Sequence, residues 1–374
     1  MNESGSKSDF LVDDYSFIPF GISSMLGYSF ISCLLSDIQN MFTHSFPSFI
    51  TVSYGAASVA TQLLAFFRHS WLINTNWVTL SFVVSIASVI LLVLCAKLEP
   101  VNATRWGVVC MFLIGATGSI KQLSFSAVGT AFSVNGLNYF FLGQGIAGLL
   151  SLIVIRIGKC FLHNIFALSV SVVVLSGVVC VSIIPLFLNT VTAPLSMIKH
   201  DDQVELRALL HVGKVIKKEA LSVLFIATVS FSIYPRYLLF LTPEQGSWFA
   251  SAESYRGFLI YVAIVFDLIG MSVPIIWRGI PLNSIPLLTA FRILFIPIFW
   301  VVEWPSFSGD HLQIFSVVCM SFSGGLLFAS ILDKAGILAP QQSLVGFIIS
   351  LSFALGVSMG AMLGYVLDRW VEIW

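Results

Sequence analysis

Long apolar stretches, cut at intervals by short polar ones, organise this chain. A bilayer crossing needs about 20 mostly apolar residues, and the pattern predicts eleven such stretches. They fall near 17–39, 48–68, 77–97, 105–132, 138–158, 164–188, 219–241, 254–277, 284–303, 312–333 and 341–367. The connections are short except for one polar segment, 189–218. The predicted fold is therefore all-α: a polytopic membrane protein with eleven helices in a 6+5 arrangement. Its domains are a six-helix bundle over 1–188, a linker loop over 189–218 and a five-helix bundle over 219–374.

Composition supports the membrane reading. Hydrophobic residues make up 57% of the chain and charged residues 10%, against about 25% charged in a soluble domain. Such a surface is wetted by lipid, so the bilayer is the first partner. The net charge is zero, which gives no reason to expect nucleic acid. Trp71, Trp77, Trp106, Trp248, Trp277, Trp300, Trp304 and Trp370 fall at or near span ends, as an aromatic belt requires. The linker carries Lys199, Arg207, Lys214, Lys217 and Lys218. Positive charge marks the cytoplasmic side, so six spans before the linker put the N-terminus in the cytoplasm and the C-terminus outside. The polar, partly acidic start lacks the basic lead of a signal peptide, so the first span is expected to be retained. With no retention tag, the plasma membrane is the default location.

Polar residues inside apolar spans carry the candidate chemistry. Asp267 lies mid-span in GFLIYVAIVFDLIGMSVPIIW. A charge at that depth costs roughly 2.5–3.5 kcal/mol on insertion scales and persists where it faces a cavity or a partner. Gly115, Ser119, Gln122, Ser126 and Gly129 recur at three- and four-residue steps, forming one polar stripe of a helix. Gln122 is the member expected to line a cavity, while packing between helices accounts equally for its small neighbours. Lys121 is next to it, about 100° round the helix. Gln144, Gly148 and Ser151 share a face of the fifth span, where close helix packing is the favoured reading and Gln144 the one residue suited to more. Gly356, Gly360 and Gly364 form a packing seam. Pro235 and Pro297 break backbone hydrogen bonds within spans, and Arg292 lies about 12 Å inside the ninth. Arg292 is read as a structural or gating residue.

The runs GQGIAG (143–148), FDLIG (266–270), FRILFIP (291–297) and FALGVSMGA (353–361) resemble the equilibrative nucleoside transporters, in the family's order and on the expected spans. The resemblance implies an eleven-span relative of the major facilitator fold with a central nucleoside or nucleobase site. It implies that Asp267 accepts hydrogen bonds from ribose hydroxyls or base N–H groups and that Gln122 reads the base edge. Leu26-Gly27-Tyr28-Ser29 stands where the family has Leu-Pro-Trp-Asn, with Tyr28 left to stack on a base. Two departures follow. Met271 occupies the place of the family's arginine four residues beyond the aspartate, so Lys121 is the expected replacement cation. Phe322-Ser323-Gly324-Gly325 stands where the family tends to have an asparagine.

The expected function is alternating-access transport of a nucleoside or nucleobase, purine-type, by facilitated diffusion, with proton linkage as a variant. A carrier of sugars or another small polar solute is the alternative. No cluster of Arg or Lys suits a phosphate, and nucleotides are disfavoured. An enzyme is not expected: an intramembrane aspartyl protease needs two facing carboxylates, and only Asp267 lies mid-span. H-E-x-x-H spacing is missing, and the six histidines lie at or near span ends. The six cysteines (33, 95, 110, 160, 180 and 319) show no paired spacing. Neither metal nor cofactor is predicted, and the glycine seams are compatible with a monomer.

Overall fold

The computed structural model describes residues 13–38, 42, 46–67, 75–95, 97–133, 135–161, 177–179, 182–190, 206–234, 238, 241–244, 246–249, 251–277, 284–303, 309–338 and 342–371. All regular structure among them is helical. In chain order the helices are α1 (Phe17–Ile38), α2 (Phe46–Phe67), α3 (Thr75–Cys95), α4 (Pro100–Phe132), α5 (Gly136–Phe161) and α6 (Leu206–Val215). They continue with α7 (Lys217–Ile233), α8 (Ala252–Ile276), α9 (Ile285–Phe291), α10 (Phe295–Glu303), α11 (Asp310–Leu338) and α12 (Gln342–Val371).

Among the described residues, seven helices are long and apolar enough to cross a membrane, fewer than the eleven expected. Three shorter apolar helices, Phe49–Ala65, Gly177–Thr190 and Ile285–Phe299, lie where the second, sixth and ninth spans were expected. Proline chemistry shortens two of the expected spans. Tyr234, the residue before Pro235, is extended (φ −97°, ψ 142°), because the ring of a following proline disfavours helical backbone. Helix α7 therefore stops at Ile233 rather than running to 241, and Pro235 itself lies outside the described residues. Pro297 has no N–H for the carbonyl of Ile293, and the chain tightens into a 3₁₀ turn at Arg292–Leu294 between α9 and α10. Much of the expected sixth span and the linker before 206 also fall outside the described residues.

The exterior is apolar by design of the pattern. On α3, Leu80, Val83, Ile90, Leu91 and Leu94 are exposed while Val78, Phe82, Ser85, Val89 and Leu92 are buried. One stripe meets lipid and the opposite stripe meets α4. Trp248 and Trp277 are exposed just outside α8, at the positions an aromatic belt uses.

The tightest pairings are α1 with α5, α8 with α11, α7 with α12, and α2 with α4. Glycines set several of these distances. A Cβ at Gly356, Gly360 or Gly364 of α12 would lie 2.5, 2.5 and 2.8 Å from the carbonyls of Leu224, Thr228 and Ser232 on α7. Only glycine fits a seam that close, as expected from the four-residue spacing. Helices from the two halves of the sequence meet along α5–α8 on one side and along α2–α12 and α4–α12 on the other.

Two acidic residues tie helix ends together. Asp14 accepts from the Asn135 backbone N–H and side-chain amide, each at 3.1 Å, and from the Ser133 hydroxyl, joining the start of α1 to the α4–α5 turn. Asp310 accepts from Glu244 N–H at 2.8 Å and from the Ser247 hydroxyl, joining the start of α11 to the segment before α8.

Candidate functional site: a central cavity between the two halves

A cavity of about 180 Å³ lies between helices drawn from both halves. From the first half, α1 contributes Met25, Tyr28, Ser29, Ser32 and Cys33, and α5 contributes Phe141, Gln144, Gly145 and Gly148. From the second, α7 and its end contribute Ile226, Ser230, Phe231 and Tyr234, and α8 contributes Ala263, Ile264, Asp267 and Met271. Helix α11 adds Met320, Ser321, Gly324 and Phe328, and α12 adds Phe353.

Asp267 opens onto this space, and among the described residues its carboxylate makes no hydrogen bond. Its electrostatic partner is Arg292. The 3₁₀ turn carries Arg292 into the protein, where it is 2% exposed. Its guanidinium donates to Met320 O at 2.8 Å, Ser323 Oγ at 2.7 Å and Ser230 Oγ at 2.8 Å. Gly324 makes room for it: a Cβ there would lie 3.1 and 3.2 Å from the two terminal nitrogens. The Phe322-Ser323-Gly324-Gly325 run thus supplies a hydroxyl and a gap for Arg292.

Lys121 is placed elsewhere. Its ammonium donates to Ser23 O at 2.9 Å and lies 5.1 Å from the centre of the Phe82 ring. The cation facing Asp267 is Arg292, and the expectation that Lys121 fills the gap at Met271 is corrected accordingly. Helix α4 turns Lys121 toward α1 and α3, away from α8.

Of the other expected site residues, Tyr28, Gln144 and Gly148 line the cavity. The Tyr28 ring packs 4.4 Å from that of Tyr54, and its hydroxyl is buried beside Ser32 and Thr51. Leu26 is buried in the core, one position round α1 from the wall residue Met25. Gln122 is buried with its Nε2 unbonded and is not on the cavity wall. Its stripe packs instead: Gly115 lies against the Tyr54 backbone and Ser126 Oγ accepts from Ser350 Oγ at 3.0 Å. Pro297 is exposed on the outer side of α10. Sequence reasoning missed Ser230, Tyr234, Ser321 and the methionines 25 and 320. Serine and methionine are common in membrane helices, so no sequence signal set these apart.

Aromatic rings and an ion pair border the cavity. Phe141, Phe328 and Phe353, from α5, α11 and α12, pack edge to face or tilted with centroids 4.8–5.8 Å apart. A smaller space shares Cys33 with the cavity and is rimmed by Arg156, Lys159 and Glu253. There Lys159 Nζ lies 3.7 Å from Glu253 Oε1, an ion pair between α5 and α8. A mostly apolar space with six aromatic rings, one open carboxylate and a few polar groups on its wall suits a small, uncharged, hydrogen-bonding solute.

No protein-family model matches the chain. Over 169 residues it is 30% identical to mouse equilibrative nucleoside transporter 1, covering 40% of this chain and 36% of the mouse protein. The chain thus matches little more than a third of that relative's length. Among solved structures it resembles a point mutant of the nucleoside transporter NupG (TM-score 0.61, 13% identity, 95% and 92% of the two chains). It also resembles the human organic anion transporter MFSD10 (0.61, 13%, 94% and 92%) and the E. coli fucose:proton symporter FucP (0.55, 10%, 96% and 98%). The chain has the fold of these membrane transporters.

Proposed function

We propose that this protein carries nucleosides or nucleobases across a membrane by alternating access. The observation that carries the reading is the cavity between the two halves, with the open Asp267 carboxylate and the rings of Tyr28, Tyr234 and Phe231 on its wall. A flat heterocycle stacks on such rings, and a carboxylate with no donor among the described residues is left to accept from its N–H groups or from sugar hydroxyls. The partial match to the mouse nucleoside transporter and the fold shared with NupG support the same class.

In this reading the chain forms eleven spans in a 6+5 arrangement. The bundles are 1–188 and 219–374, joined by the cytoplasmic linker 189–218, with the C-terminus outside the plasma membrane. Transport is uncoupled facilitated diffusion, with purine-type solutes favoured, and Asp267, Tyr28 and Gln144 contact the solute. Gln122, Leu26 and Lys121 are placed in supporting positions. The sugar-carrier alternative draws on the fold shared with the fucose:proton symporter.

Uptake of labelled adenosine, inosine and hypoxanthine into liposomes holding the purified protein tests the proposal, with fucose and glucose alongside. Saturable purine uptake, lost in Asp267→Asn, is the expected result. Sugar uptake without purine uptake would replace the proposal with the sugar reading.

A further inference from the structure

Two hydrogen-bond chains on opposite halves fix which cavity groups accept and which donate. The Ser24 hydroxyl has one proton, and it goes to the Gly21 carbonyl at 2.8 Å. Ser24 Oγ can then only accept, and the group it accepts from is Gln144 Nε2 at 3.0 Å. This settles the orientation of an amide whose two ends are otherwise interchangeable. With its nitrogen held behind the wall by Ser24, Gln144 keeps its Oε1, an acceptor, for the cavity it lines.

The other chain runs through Arg292. A guanidinium only donates, so Ser230 Oγ and Ser323 Oγ both accept from it. Ser323 spends its own proton on Met320 O at 3.1 Å. Ser230, which lines the cavity, has no protein acceptor for its proton among the described residues. Its hydroxyl is left as a donor.

We propose that Gln144, held by Ser24, is a specificity-determining acceptor that requires an N–H on the base edge of the solute, with Ser230 the matching donor to a base or sugar oxygen. Gln144 contacts the solute, and Ser24 is a positioning residue acting through it. This inference rests on the nucleoside reading and narrows it: a base whose edge N–H is methylated leaves a buried acceptor unpaired, which sites of this kind reject strongly.

The test compares uptake of inosine with 1-methylinosine, and of uridine with 3-methyluridine, in liposomes holding the full chain. The wild-type protein is expected to favour the unmethylated member of each pair by about tenfold or more. Gln144→Leu should bring both ratios to within about twofold. Ser24→Ala should lower them part of the way by raising KM for the unmethylated solute, a shift in selectivity that a loss of fold would not produce. Equal wild-type uptake within each pair overturns the inference while leaving the nucleoside reading standing. So does a preference that survives intact in Gln144→Leu, or in Ser24→Ala should the leucine variant not fold. Absence of any nucleoside uptake by well-folded wild-type protein overturns the reading and the inference together.

Discussion

Arg292 Nη2 donates to Ser230 Oγ at 2.8 Å, joining the 3₁₀ turn of the broken helix to a residue 62 positions earlier on α7. The same guanidinium holds α11 through Met320 and Ser323. One side chain therefore pins three segments beside the cavity and supplies the positive charge near Asp267. Removing one partner of a buried charged network costs about 3–5 kcal/mol. Arg292→Leu should lower the unfolding temperature in detergent markedly. Arg292→Lys should not restore it, since an ammonium cannot reproduce the guanidinium's fixed fork. An unchanged unfolding temperature in Arg292→Leu would contradict this account.

Gly324 is the space that guanidinium occupies. Gly324→Val should destabilise the protein, and the loss should shrink in an Arg292→Leu background, where the clash has gone. A double-mutant cycle measures this, with a coupling of about 0.5–3 kcal/mol expected for residues in contact. Strict additivity would mean that the two residues do not share the space.

The Lys159–Glu253 pair is partly exposed, 37% and 62% by side chain, so its contribution to stability is about 0–1 kcal/mol and weakens with salt. Its location matters more than its strength, because Cys33 lies between it and the cavity. In a protein whose other five cysteines are serine, Glu253→Gln should speed maleimide labelling of Cys33 severalfold with little change in unfolding temperature. Labelling at the wild-type rate would show that the pair does not cover Cys33.

The Tyr28 hydroxyl is buried beside Ser32 and Thr51. An ordinary hydrogen bond contributes about 0.5–1.5 kcal/mol, so Tyr28→Phe should lower the unfolding temperature only slightly. Under the proposed function Tyr28→Ala should impair uptake far more, because it removes the ring proposed to stack on the solute. Uptake by Tyr28→Ala equal to that of the wild type would contradict that role.

Much of the site was legible because a polar residue in an apolar span needs a reason. Asp267, Gln144 and Tyr28 were marked by that argument or by family resemblance, and all three line the cavity. Rotation of a helix about its own axis was not legible. Gln122 and Gln144 carry the same local signal, yet α4 turns Gln122 into packing and α5 turns Gln144 to the wall. The partners of Arg292 were equally hidden, since they lie 28 to 62 residues away on α7 and α11. The helix break that aims Arg292 inward was foreshadowed by Pro297, though its consequence, a tightened turn rather than a cavity-lining kink, depends on which side of the helix meets lipid.

The glycine contacts divide the joint between the halves into two unlike seams. On the α12 side they are backbone to backbone: a Cβ at Gly346 would meet the Ser126 carbonyl of α4, and one at Gly55 of α2 would meet the Ser358 backbone. On the α5–α8 side, a Cβ at Gly145 or Gly148 would meet side-chain atoms of Leu268, Met271 and Ile264. Main chain in direct contact leaves no room for a side chain between the helices, whereas side chains at a contact can change rotamer. The joint between the halves is thus uneven: main chain meets main chain along α2, α4 and α12, and side chains fill the contact along α5 and α8, beside the cavity that Gln144 and Asp267 line.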